Sequence, residues 1–193
     1  MESDELDAKV RTEIARGDLA RATERILREY GDELARYLRS QLPNDADALD
    51  GFQRMSEDLW KSLARFDGRC STRTWCYMIA RHTAIYIRTQ PRHAHEQLVS
   101  SIPSIQQAAT EMFSRSLVER AHQHEILAEA KEALDPDDRT LLVLRIDRNL
   151  SWREIAIVLL GEDASDADVT KKSAALRKQF ERVKDELAQK LTH

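Results

Sequence analysis

From Arg69 to Arg88 the chain reads R-C-S-T-R-T-W-C-Y-M-I-A-R-H-T-A-I-Y-I-R, and no glycine or proline interrupts it until Pro91. Such a stretch, with Ser71 or Thr72 to cap it, reads as one helix. At about 100° per residue, Trp75, Met78, Ile79, His82 and Tyr86 fall within an arc of roughly 100°, an apolar face that seeks a core. Arg73, Tyr77, Arg81, Ala84 and Arg88 fall within about 80° on the opposite side. Arginines hold phosphates and stack on bases, and an aromatic ring among them can hold an unpaired base. The second face therefore suits partly single-stranded nucleic acid. An ordinary amphipathic helix with a solvated basic face would show the same spacing.

Composition agrees with a helical chain. Of 193 residues, 33% are charged and 6% aromatic, with five glycines and four prolines, which favours an all-α fold over sheet. That length allows one domain or two small ones. No apolar run reaches membrane-spanning length, and the acidic start M-E-S-D-E-L-D is not that of a signal peptide. Cys70 and Cys76 form neither a disulfide framework nor a C-x-x-C motif, so a reducing, cytoplasmic setting is the simplest.

The net charge of −4 looks wrong for a nucleic-acid binder until it is divided along the chain. Residues 1–68 carry −5, residues 69–95 carry +5 with no acid, residues 96–168 carry −8 and residues 169–193 carry +4. Two basic islands in an acidic chain are the distribution expected if only two surfaces meet phosphate.

In order, residues 5–16 and 18–40 read as two helices broken at Gly17-Asp18, with Asp18 capping the second. Leu19, Ile26, Tyr30, Leu34, Tyr37 and Leu38 make its core stripe. After the turn at Leu42-Pro43-Asn44-Asp45, a third helix runs from Ala46 to Ala64, with Phe52, Met55, Leu59 and Leu63 inward and Trp60 flanking them. Residues 91–110 show no sustained period and read as linker. His82, His93, His95, His122 and His124 lack the partners of a four-ligand metal site, and neither a metal nor a cofactor is expected.

Beyond the linker, one helix is expected over 113–133. Asp135 then caps another, with Pro136 at its first position and Leu141, Leu142, Leu144 and Ile146 as its apolar side. Ser151 and Glu154 form a capping box for the next, which buries Ile155, Val158 and Leu159 and ends at Gly161. The last helix runs from Asp166 to Lys190, with Val169, Leu176, Phe180, Val183 and Leu187 as a narrow seam. Opposite that seam lie Lys171, Lys178 and Arg182, with Lys172 and the small Ala174 and Ala175 alongside. Small residues let a helix enter a groove while cations hold the flanking phosphates, so this reads as a helix-turn-helix for duplex DNA.

The segment Arg65 to His82, R-F-D-G-R-C-S-T-R-T-W-C-Y-M-I-A-R-H, resembles the promoter-melting segment of bacterial sigma factors of the extracytoplasmic-function (ECF) type, typically R-F-x-G-x-S-S-F-R-T-W-L-Y-x-I-A-R-N. Arg65, Phe66, Gly68, Ser71, Arg73, Thr74, Trp75, Tyr77, Ile79, Ala80 and Arg81 stand where that pattern wants them. L-D-P-D-D-R-T-L-L-V-L-R (Leu134 to Arg145) and L-S-W-R-E-I-A (Leu150 to Ala156) resemble the promoter-recognition domain of the same family. Departures are His82 in place of Asn, Tyr86 near a frequent Asp, and a turn between Gly161 and Val169 about two residues longer than usual and rich in acids.

The resemblance implies a sigma factor without catalytic residues of its own. Its residues 1–92 would bind core polymerase and the melted −10 element, 93–112 would be the linker, and 113–193 would read the −35 element. It implies −10 contacts at Arg69, Arg73, Trp75, Tyr77, Arg81 and Arg88, and −35 contacts at Lys171, Lys172, Ala174, Ala175, Lys178 and Arg182. In this family the third helix carries A-E-D-L-x-Q-E and clamps the polymerase β′ coiled coil. Asp50 and Gln53 match that pattern, whereas Leu49, Gly51 and Arg54 depart from it. The implied partners are core polymerase, through its β′ coiled coil and β flap, and promoter DNA, with room for an anti-sigma factor that no residue identifies. The rival readings are a stand-alone helix-turn-helix regulator and a helical adaptor that binds only proteins.

Overall fold

The computed structural model describes residues 2–89, Gln107, Thr110 and 134–191. Every regular element among them is helical. The expected helix over 113–133, the four histidines from His93 to His124 and most of the expected linker lie outside the described residues, although Gln107 and Thr110 are each helical. The chain divides into two compact units, Met1–Arg120 and Ala121–His193.

In the first unit, α1 (Glu2–Ala15) and α2 (Leu19–Gln41) are separated at Gly17, whose φ of 76° lies in the left-handed region. Asp18 caps α2 as expected, its carboxylate accepting from the Arg21 N–H at 3.2 Å. α3 (Asp45–Ser62) is capped by Asn44, which accepts from the Asp47 N–H at 2.8 Å, and tightens into a 3₁₀ turn over Leu63–Arg65. α4 (Thr72–Thr89) closes the bundle. Ile26, Leu34, Tyr37, Leu38, Phe52, Met55, Leu59 and Leu63 have no exposed surface, so the inward stripes read from spacing on α2 and α3 are the core, apart from Leu19, which is half buried. Gly51 explains one departure from the family pattern. A Cβ there would meet Leu42 Cδ1 at 3.0 Å and Ile87 Cδ1 at 3.1 Å, so glycine lets α3 lie close against α4.

The second unit packs α5 (Pro136–Leu142), α6 (Trp152–Leu160) and α7 (Asp166–Leu191). α5 is capped by Asp135 with Pro136 behind it, and its last turn widens into a π segment, Val143–Asp147. The chain turns out of it through Asn149 at a φ of 53°, a conformation Asn tolerates better than most side chains. The capping box of α6 is formed in both directions, Ser151 N–H to Glu154 Oε2 at 2.7 Å and Glu154 N–H to Ser151 Oγ at 3.3 Å. Leu134, Leu142, Val183 and Leu187 form one apolar cluster with Phe180 against it. Two expected core positions stand elsewhere. Ile146 is 55% exposed, because the π segment turns it outward, and Leu159 is only half buried while Ala156 is fully buried.

Candidate nucleic-acid interface

The basic stretch of the first unit is built differently from its sequence reading. α4 starts at Thr72, with Ser71 as cap: its Oγ accepts from the Thr74 N–H at 3.1 Å. Arg69 and Cys70 therefore stand on the loop before the helix. That loop turns at Gly68, whose φ is 77°, and Arg69 closes it by donating to Asp67 through its backbone N–H at 3.1 Å and its Nε at 2.6 Å. The Arg69 N–H, ahead of its guanidinium, holds the Asp67 carboxyl below its usual range. Gly68→Ala should cost about 1–2 kcal/mol, because an L side chain is strained at that φ. Thermal unfolding of the variant checks this, and a change below a few tenths would show that the loop relaxes freely.

The two-faced picture of α4 needs correction. Every residue from Thr74 to Ala80 is buried, since α2 covers one side of the helix and α3 the other. Helical spacing puts Tyr77 on the outward face. Instead it has no exposed surface and meets Tyr37 of α2 edge-on at 5.4 Å between ring centres. Ala84 is buried as well, whereas His82 and Tyr86, assigned to the core, are exposed. Only the C-terminal half of α4 is amphipathic in the simple sense. Tyr86 instead carries the Arg54 guanidinium of α3 over its ring at 3.9 Å.

Trp75 is 4% exposed. Its indole N–H donates to Ser62 Oγ at 3.3 Å, and its ring meets Phe66 edge-on at 5.3 Å. The tryptophan thus ties the end of α3 and the loop onto α4. Cys76 is buried beside it, and that burial pushes the thiol well above its ordinary range. Arg73 does reach the edge of this face, but Glu33 of α2 grips it with two hydrogen bonds, at 2.7 and 2.8 Å. Arg81 is half buried and Arg88 exposed. On α3, Asp50 is exposed and Gln53 half buried, so both stand on the side turned from the core.

In the second unit, Ser165 caps α7, its Oγ accepting from the Asp168 N–H at 3.2 Å. This fixes where the lengthened turn ends. Lys171, Ala174, Ala175 and Lys178 are exposed together, one helical turn apart, and Lys172 is half buried. Arg177, not singled out from sequence, is also exposed. Arg182 is the exception among the expected cations. It reaches Asp138 of α5 at 3.0 and 3.3 Å and Glu186 at 2.9 Å. Asp138 is buried and also accepts from Gln179 at 2.6 Å, so Arg182 fastens α7 to α5. Trp152 packs edge-on against Phe180 at 5.4 Å, and the Ser173 hydroxyl donates to the Trp152 carbonyl at 3.2 Å, holding α6 on α7.

Residues 26–92, which hold most of α2, all of α3, the loop and α4, match the sigma-70 region 2 family. The chain is also similar to RNA polymerase sigma factor YlaC of Bacillus subtilis (strain 168), with 29% identity over 154 residues, which cover 79% of this chain and 87% of that protein. No solved structure matches the chain significantly. Together with the fixed spacing from Arg65 to Arg81, these likenesses support a sigma factor of the ECF type over a stand-alone regulator. No helix among the described residues is long and apolar enough to cross a membrane.

Proposed function

We propose that this sigma factor works in the cytoplasm and directs core RNA polymerase to its promoters with two separate DNA contacts. In this reading residues 1–92 form the first functional domain, 93–112 a linker and 113–193 the second. The exposed side of α3, with Asp50 and Gln53, docks on the β′ coiled coil. The loop from Asp67 to Ser71 and the adjoining edge of α4, with Arg69, Arg73, Arg81 and Arg88, takes the opened −10 strand. Tyr77 and Trp75 support that edge from inside. α7 enters the major groove of the −35 element with Lys171, Lys172, Ala174, Ala175 and Lys178, while Arg182 orients the helix. The β flap receives the second domain.

The observation that carries this reading is the match of residues 26–92 to sigma-70 region 2, with Asp67 and Arg69 exposed on the motif's loop. The chain would supply address and strand opening, and polymerase the chemistry. Mixing it with core polymerase and a library of promoter fragments tests this. Promoter-specific transcripts are expected, and their absence would sink the proposal. Lys171→Ala and Lys178→Ala should each lower the salt slope of −35 fragment binding by roughly one unit, if each cation holds one phosphate. An unchanged slope in both would turn this face toward solvent.

A further inference from the structure

The first helix reaches the loop that precedes α4. Asp7 of α1 accepts from the Thr72 N–H at 3.1 Å, so a carboxylate 65 residues upstream sits at the first turn of α4. One turn further along α1, Arg11 lies against the loop itself. A Cβ built on Gly68 would stand 3.4 Å from Arg11 Nη1 and 3.8 Å from its Cδ. The Arg11 side chain is exposed and makes no hydrogen bond or ion pair among the described residues. The neighbouring cations differ from it. Arg69 is neutralised by Asp67 at 2.6 Å and Arg73 by Glu33 at 2.7 Å. A guanidinium without a carboxylate, beside a turn that lacks a side chain, is available to an incoming anion.

We infer that Arg11 binds a backbone phosphate of the opened strand, so that α1 contributes to the strand-binding site together with the loop and α4. The inference rests on the proposed −10 role of the loop. Glycine at position 68 lets the strand backbone approach the turn closely, and Arg11 stands at its side with a planar fork suited to a phosphate. Asp7 fixes the distance by holding α1 to the start of α4.

The test uses the full chain with core polymerase on a promoter fragment recovered by the transcription assay, with its −10 region unpaired in a bubble. Binding is measured across salt for the wild type, Arg11→Ala, Arg11→Lys and, as a control on the same segment, Arg16→Ala. Loss of one single-strand phosphate contact should make the slope of log affinity against log salt shallower by about 0.7 for Arg11→Ala. The deficit of that variant should then shrink roughly threefold between about 50 and 200 mM salt. Arg11→Lys should keep most of the slope, Arg16→Ala all of it, and thermal midpoints should stay together.

A wild-type slope in Arg11→Ala would overturn the inference, as would an equal loss in Arg16→Ala. So would a lowered thermal midpoint that Arg11→Lys fails to restore, because the residue would then be structural. Either result with an active wild type leaves the sigma-factor reading standing. A wild type that yields no promoter-specific transcript removes that reading and this inference together.

Discussion

Trp75→Ala and Tyr77→Ala are each expected to cost about 3–5 kcal/mol, the range for removing a large buried aromatic ring. Tyr77 has no exposed surface and Trp75 only 4%. Each ring also sits where elements meet: Tyr77 between α4 and α2 through Tyr37, and Trp75 between α4, the end of α3 and Phe66 of the loop. A domain's whole stability is typically about 5–15 kcal/mol, so either loss should leave the first unit largely unfolded near physiological temperature. Urea unfolding followed by circular dichroism, with limited proteolysis beside it, measures this. Trp75→Phe should cost far less, since it keeps a ring against Phe66 and loses mainly the indole hydrogen bond, worth about 1 kcal/mol. A Tyr77→Ala protein within about 1 kcal/mol of the wild type would mean that this ring is not packed as described.

Arg73→Ala is expected to lower stability by about 1–3 kcal/mol, more than an exposed cation would. From sequence alone a change within about 0.5 kcal/mol is the natural expectation, because surface charges contribute little to folding. The structure raises it. The Arg73 side chain is 26% exposed and Glu33 17%, and the two make parallel charge-assisted bonds. Removing the arginine leaves Glu33 a half-sequestered carboxylate without its partner. Glu33→Gln in the Arg73→Ala background should therefore recover part of the loss, and a double-mutant cycle reads the coupling. Additive single losses would show that the pair contributes nothing.

The same substitution bears on strand opening. If Arg73 helps to hold the opened strand, the transcription defect of Arg73→Ala should shrink on a template already unpaired at −10. An equal defect on duplex and bubble would place its role with polymerase or inside the fold. Glu33→Gln supplies a further control, since it frees the guanidinium while leaving its position. Improved strand binding in that variant would mean that Glu33 restrains Arg73 in the free protein.

Much of the fold was legible along the chain. The caps at Asp18, Asp135 and Ser151 form as their residue types require, because a cap joins groups two or three positions apart and sequence order already brings them together. The core stripes of α2 and α3 were also readable, since each of those helices has one side turned inward. α4 was not, and the reason is geometric. A periodicity argument assumes a helix with one covered side, whereas α4 is covered by α2 and α3 at once over its first half. Its Tyr77 is consequently core, and the ring that is exposed, Tyr86, lies on the arc expected to be inside.

The sequence by itself determined that this chain is helical, where most of its helices begin, that positive charge gathers in two islands, and that the motif from Arg65 to Arg81 has a fixed spacing. Those are matters of residue type and short separation. Tertiary structure alone decided which cations remain available. Arg73 is neutralised from 40 residues away by Glu33, Arg182 from 44 residues away by Asp138, and Arg11 is brought beside Gly68 on a helix whose Asp7 reaches Thr72 across 65 residues. A count of charges along the chain puts Arg11 in an acidic segment and Arg182 in a basic one. Ion pairing depends on distances of a few ångströms, and only the packing of helices remote in sequence sets those distances.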